Sequence, residues 1–131
     1  DESGQKILYK DESYLIQGSF EVYKEIGSGF IESVYQLCLE KELKDRGIPF
    51  RSQPELTFTY KNEDLGLVFR PDFLLYDKIT MEIKADKEIS EEHRIQVYNY
   101  LKASHLKLGL LVYFGHQPRA TIERIILPGK Q

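Results

Sequence analysis

The chain has 131 residues, 41% of them hydrophobic and 30% charged, with a formal net charge of −3. That length supports one globular domain over residues 1–131 with a real core, the acidic balance weighs against a general nucleic-acid coat, and no apolar run approaches a membrane span. A lone cysteine, Cys38, cannot form an intramolecular disulfide, which fits core packing in a reducing cytoplasm.

In chain order, residues 1–10 show no period and read as a loose arm. From Glu12 to Ile26, Ile16, Phe20, Tyr23 and Ile26 recur at helical steps, and Gly27-Ser28-Gly29 ends the pattern. A second helix is predicted from Ile31 to Arg46, burying Val34, Leu37 or Cys38, and Leu43, with Gly47 as its stop. Glu32, Tyr35, Gln36 and Leu39 share one flank of it.

A β meander follows: one strand within Pro49 to Tyr60, a polar turn at residues 61–64, then a hairpin of Leu65 to Tyr76 and Ile79 to Ala85. Ser90 then starts a helix that runs to about Ser104, with Glu91 and Glu92 in its first turn, where they suit the helix dipole. Leu108 to Phe114 reads as a strand buried on both faces, and Arg119 to Leu127 as a last strand paired with it. The strand-helix-strand step from Ile79 to Leu111 makes a parallel crossover, so the fold class is α/β with a mixed sheet flanked by helices.

Chemistry concentrates in the hairpin. Alternation puts Glu82 and Lys84 on one face and Met81 and Ile83 on the other, and a three-residue loop at Asp77, Lys78 and Ile79 places Asp72 opposite Lys84 with Glu82 one diagonal step away. Two carboxylates and an ammonium on one patch repel or compensate. A hard divalent cation such as magnesium or manganese is the natural partner for such oxygens, while the plainer alternative is a surface hairpin in which Lys84 neutralises Asp72 or Glu82. On the last helix His93, Gln96 and Tyr100 share a face; His93 fits either a site-facing ligand or a helix-start residue paired with Glu91, Glu92 or solvent.

The stretch Gly29-Phe30-Ile31-Glu32-Ser33-Val34-Tyr35 resembles the signature that names the GxxExxY family, and Arg46 to Phe50, Arg70-Pro71-Asp72, Glu82-Ile83-Lys84, His93 and Asn99 to Lys102 match its setting. That family looks like a branch of the PD-(D/E)XK nuclease superfamily. The resemblance implies a restriction-endonuclease-like αβββαβ core with an extra N-terminal helix and a last antiparallel strand. It also implies metal-assisted hydrolysis of phosphodiester bonds in nucleic acid, DNA before RNA, with Mg2+ or Mn2+ held by Asp72, Glu82, the Ile83 carbonyl and Glu32. Lys84 then completes the catalytic set, and Arg70, His93, Gln96 and Tyr100 bind substrate or support the site. Fold alone does not establish turnover. The alternative is a catalytically silent nuclease-fold module, a nucleic-acid binder or a homodimer or complex subunit that uses apolar surface such as Phe58 or Tyr60.

Overall fold

A computed structural model of the chain describes residues 9–127 and opens on two helices, α1 (Glu12–Ile26) and α2 (Glu32–Asp45). Residues 1–8 of the expected arm lie outside the described residues, whereas Tyr9 packs on the core and donates its N–H to Glu12 Oε2 at 3.0 Å. Both helices end where the glycines predict, with Gly27 and Gly47 at φ of +70° and +69°.

The buried faces differ from the expected ones. In α1 the core takes Leu15, Ser19 and Val22, leaving Ile16 half-buried and Phe20 exposed. In α2 it takes Tyr35, Gln36, Leu39 and Leu43, leaving Val34 and Cys38 half-buried and Leu37 exposed. The cause is polar and long-range. Glu12 turns inward to an ion pair with Arg124, and Gln36 turns inward to hydrogen bonds near the sheet, so counting apolar residues alone misplaces both faces.

Two expected strands are each split. β1 (Phe50–Ser52) and β2 (Leu56–Tyr60) separate around Pro54, and β3 (Glu63–Phe69) and β4 (Phe73–Leu75) around Pro71, because proline has no N–H to give to a ladder. Among the described residues five strands therefore precede the last helix, where the sequence pattern suggests three. β2 and β3 pair only with each other, while β1 and β4 join β5 (Ile79–Lys84), β6 (Leu108–Tyr113) and β7 (Thr121–Ile126) in the order β1-β4-β5-β6-β7.

The turn between β4 and β5 is Tyr76, Asp77 and Lys78, one residue earlier than expected. Tyr76 and Asp77 take φ of +54° and +56°, the Lys78 N–H closes on the Leu75 carbonyl at 3.0 Å, and fully buried Ile79 joins the strand. Leu75 pairs with Ile79 and Phe73 with Met81. Continued one step, this ladder sets Asp72 opposite Glu82 rather than opposite Lys84.

β5 and β6 run parallel, joined through α3 (Glu91–Ser104), and β7 is antiparallel to β6, as expected. Ser90 caps α3 by accepting the Glu92 N–H. Helices α1 and α2 cover one face of this mixed sheet, where Leu15, Tyr35 and Leu39 meet Phe73, Met81, Ile83 and Leu110. Helix α3 covers the other, where Val97 and Leu101 meet Leu111 and Tyr113. No helix among the described residues is long and apolar enough to cross a membrane.

Candidate active site

Alternation along β5 sends Met81 and Ile83 into the core under α1 and α2, and turns Glu82 and Lys84 toward α3. Pro71 ends the pairing of β3 and leaves Asp72 at the entry to β4, where its side chain reaches across to β5. Asp72 Oδ2 accepts the Ile83 N–H at 2.7 Å, and the Asp72 N–H points to Glu82 Oε1 at 3.3 Å. Each acid thus holds the backbone beside the other. Glu82 is 5% exposed. Burial, and after it the negative charge of Asp72, push its carboxyl up to about 9, with Lys84 pulling the other way. At neutral pH the pair keeps a proton unless a cation replaces it.

Lys84 Nζ donates to Gln96 Oε1 at 3.3 Å, and Gln96 Nε2 donates to the Tyr100 hydroxyl at 3.1 Å. This chain of contacts runs along one face of α3, and it fixes the ammonium beside the two acids. Burial and then the charge of Glu82 raise the Tyr100 phenol above its ordinary value, so it stays protonated at neutral pH. From the other side of the sheet, Glu32 at the start of α2 accepts the Ala85 N–H at 3.2 Å, just past the end of β5. Tyr35 steadies that helix start by donating to the Gly27 carbonyl at 2.7 Å and stacking on Phe114 with centroids 4.2 Å apart.

The structure therefore brings together Asp72, Glu82, Ile83, Lys84, Gln96 and Tyr100, with Glu32 at the margin. Two expected participants face elsewhere. The His93 ring meets the Tyr113 hydroxyl at 2.7 Å and Asp86 at 3.6 Å, not Glu91 or Glu92, because α3 turns it toward β6 and the loop after β5. Arg70 pairs with Glu55. Gln36 takes a role that residue counting underrated: its buried amide donates to the Asp72 carbonyl at 3.0 Å and to Ser52 at 2.8 Å, holding the loop that carries the aspartate. Its spacing four residues after Glu32 on the same flank was the signal. Of these groups Glu32, Gln36, Asp72 and Ile83 line a cleft of about 380 Å³, together with Glu40 and Gln53.

The donor set suits a hard divalent cation: two carboxylates, one of them raised well above the ordinary carboxyl range first by burial and then by its acidic neighbour, beside a strand whose Ile83 N–H already faces Asp72. In an antiparallel ladder a residue's N–H and C=O face the same neighbour, so the Ile83 carbonyl is turned to the same edge. Among the described residues no group of three or more His, Cys, Asp or Glu side chains forms a complete metal site. A cation here would complete its shell from the carbonyl, water and phosphate, as magnesium commonly does.

Residues 10–125 match the model of the PD-(D/E)XK nuclease superfamily. The chain belongs to that superfamily. Its members are generally nucleases, and the mixed sheet between helices is the restriction-endonuclease-like α/β fold. Among solved structures, the crystal structure of SSO0001 is similar at 25% identity and a TM-score of 0.55, over 75% of this chain and 50% of that one. The chain thus spans about half the length of that relative. Among curated proteins none matches significantly. In this PD-(D/E)XK domain the Arg-Pro-Asp and Glu-Ile-Lys segments lie on β4's entry and on β5, with their carboxylates facing each other.

Proposed function

We propose that this chain is a magnesium- or manganese-dependent nuclease of the GxxExxY branch, which hydrolyses phosphodiester bonds of nucleic acid, DNA before RNA, in the cytoplasm. One observation carries the reading: a buried glutamate, Glu82, is set against a second acid, Asp72, an arrangement that repels itself until positive charge arrives. Asp72, Glu82 and the Ile83 carbonyl would hold the ion, with Glu32 reaching it through water or at a second position. Such an ion, when bound, polarises the phosphate and makes water more acidic at the scissile bond.

The chain's own groups do the rest. Lys84, steadied by Gln96, offers its ammonium to the charge that develops on phosphate, which is worth most in a site that excludes water. Tyr100 keeps Gln96 in place through a neutral phenol. Gln36 fixes the Asp72 backbone, so the aspartate carboxylate needs little reorganisation when the ion arrives.

The test is cleavage with manganese on DNA and RNA. Wild type cuts DNA, and Lys84→Ala slows it by about 10²–10³-fold while manganese binding, followed by calorimetry, persists; Asp72→Asn loses both. A protein that binds no manganese and cuts neither polymer overturns the reading and leaves a nuclease-fold interaction module.

A further inference from the structure

We propose that the turn between β6 and β7, with Lys24 and Lys87 on either side of it, is a phosphate-binding surface that seats the nucleic-acid backbone beside the scissile bond; that it serves cutting rests on the nuclease reading above. β5 and β6 run parallel, and both finish at the same end of the sheet, at Lys84 and Tyr113. In open α/β sheets, ligands bind in the crevice outside the carboxyl ends of such strands. The site already described fills the β5 side of that end. Residues 114–120 occupy the β6 side.

This turn is anchored to the supports of the site. The Phe114 N–H donates to the Lys84 carbonyl at 2.8 Å, and Gly115 passes so close to the Ala85 and Asp86 carbonyls that a Cβ there would strike them. The Ala85 N–H is the donor that holds Glu32. Beyond Gly115, the His116 carbonyl accepts the Tyr23 hydroxyl at 2.8 Å, and Gln117 Nε2 donates to Ser28 Oγ at 3.1 Å. The turn is thereby tied to the last turns of α1 and to the link into α2, and it presents its side chains at a fixed place beside the acids.

Charge decides what fits there. Lys24, Lys87 and Arg119 are exposed and enter no ion pair among the described residues, whereas Arg70, Arg94 and Arg124 are each paired with a glutamate. Lys24 and Arg119 line one cleft with Phe20 and Pro118, and Lys87 lines a second with His116 and Gln117. Glu88 is the one acid that lines either. Asp86, in the same loop as Lys87, is turned to the His93 ring at 3.6 Å. In a chain of net charge −3 this is a local surplus of cations. A phosphodiester approaching Asp72 and Glu82 is repelled by them, and flanking cations offset that repulsion. The Arg119 fork can take two phosphate oxygens, and the lysines act as point charges. None of these contacts reads a base.

The experiment measures binding of labelled duplex and single-stranded DNA to the full chain in EDTA over a range of salt, so that nothing is cut. Lys24→Gln, Lys87→Gln and Arg119→Gln together are expected to weaken binding of any sequence. They also lower the slope of log affinity against log salt by about one per phosphate contact removed. Arg119→Lys, which keeps the charge, keeps the slope. A control with the same charge change at other exposed positions, Lys44→Gln, Lys61→Gln and Lys102→Gln, also keeps it. Equal losses in the two triple variants, or an unchanged slope in the first, overturn the proposal. So does a wild type that binds neither form of DNA at low salt. The two readings fail separately: binding lost in the first variant without manganese-dependent cleavage by wild type leaves the surface and removes the nuclease. Cleavage by the first variant with the KM and salt dependence of wild type does the reverse.

Discussion

Glu82 keeps its proton in the folded chain up to about pH 9, whereas the unfolded chain releases it near 4.5. Across that window the folded state binds more protons, so its stability is greatest below the window and falls as pH rises through it. Melting of the metal-free protein in EDTA should therefore drop steadily from about pH 5 to pH 9, and Glu82→Gln should flatten the profile and melt above wild type at pH 8. A less stable Glu82→Gln protein would mean instead that an ion pair with Lys84 dominates. The face that Glu82 and Lys84 share was legible from alternation along β5. Their pairing was not. Asp72 meets the Glu82 level rather than the Lys84 level because the turn begins at Tyr76.

At the scale of elements, the site depends on how closely backbones pass one another. A Cβ at Gly115 would fall on the carbonyl oxygens of Ala85 and Asp86. These are backbone atoms with little room to yield, and the Ala85 N–H is the one that holds Glu32. Gly115→Ala should therefore cost about 1–3 kcal/mol in urea unfolding and also lower manganese-dependent cleavage per folded molecule, because the segment that anchors Glu32 must move. Unchanged cleavage would place Glu32 outside the chemistry. The sequence shows a glycine just beyond a strand, a common sign of close backbone approach. It does not show which backbone approaches. The split strands follow the same logic: Pro54 and Pro71 were visible, but only the sheet decides that the fragments between them leave it as a separate ribbon.

Over the whole molecule, the first and last of the described elements are joined by a buried ion pair. Glu12 of α1, 2% exposed, pairs with Arg124 of β7 at 2.6 Å across 112 positions of chain. Breaking a buried pair from one side costs about 3–5 kcal/mol, so Glu12→Ala should shift the urea midpoint strongly while leaving cleavage per folded molecule near wild type. A loss well under 1 kcal/mol would show that apolar packing of Leu15 and Val22 alone seats α1.

Local period and chain punctuation were enough to locate α1, α2 and α3, the buried strand β6 and its partner β7, and the charged trio Asp72, Glu82 and Lys84. Each of these depends on residues within a few positions of one another, and so does the physics of capping, amphipathic period and alternation. The rotation of α1 and α2, the turn that sets Asp72 against Glu82, the burial that protonates Glu82, and the facing of His93 and Arg70 toward Asp86 and Glu55 were decided by partners distant in sequence or by left-handed turn residues. A side chain's charge and face are written locally, but its dielectric surroundings and its partner exist only once the sheet has closed.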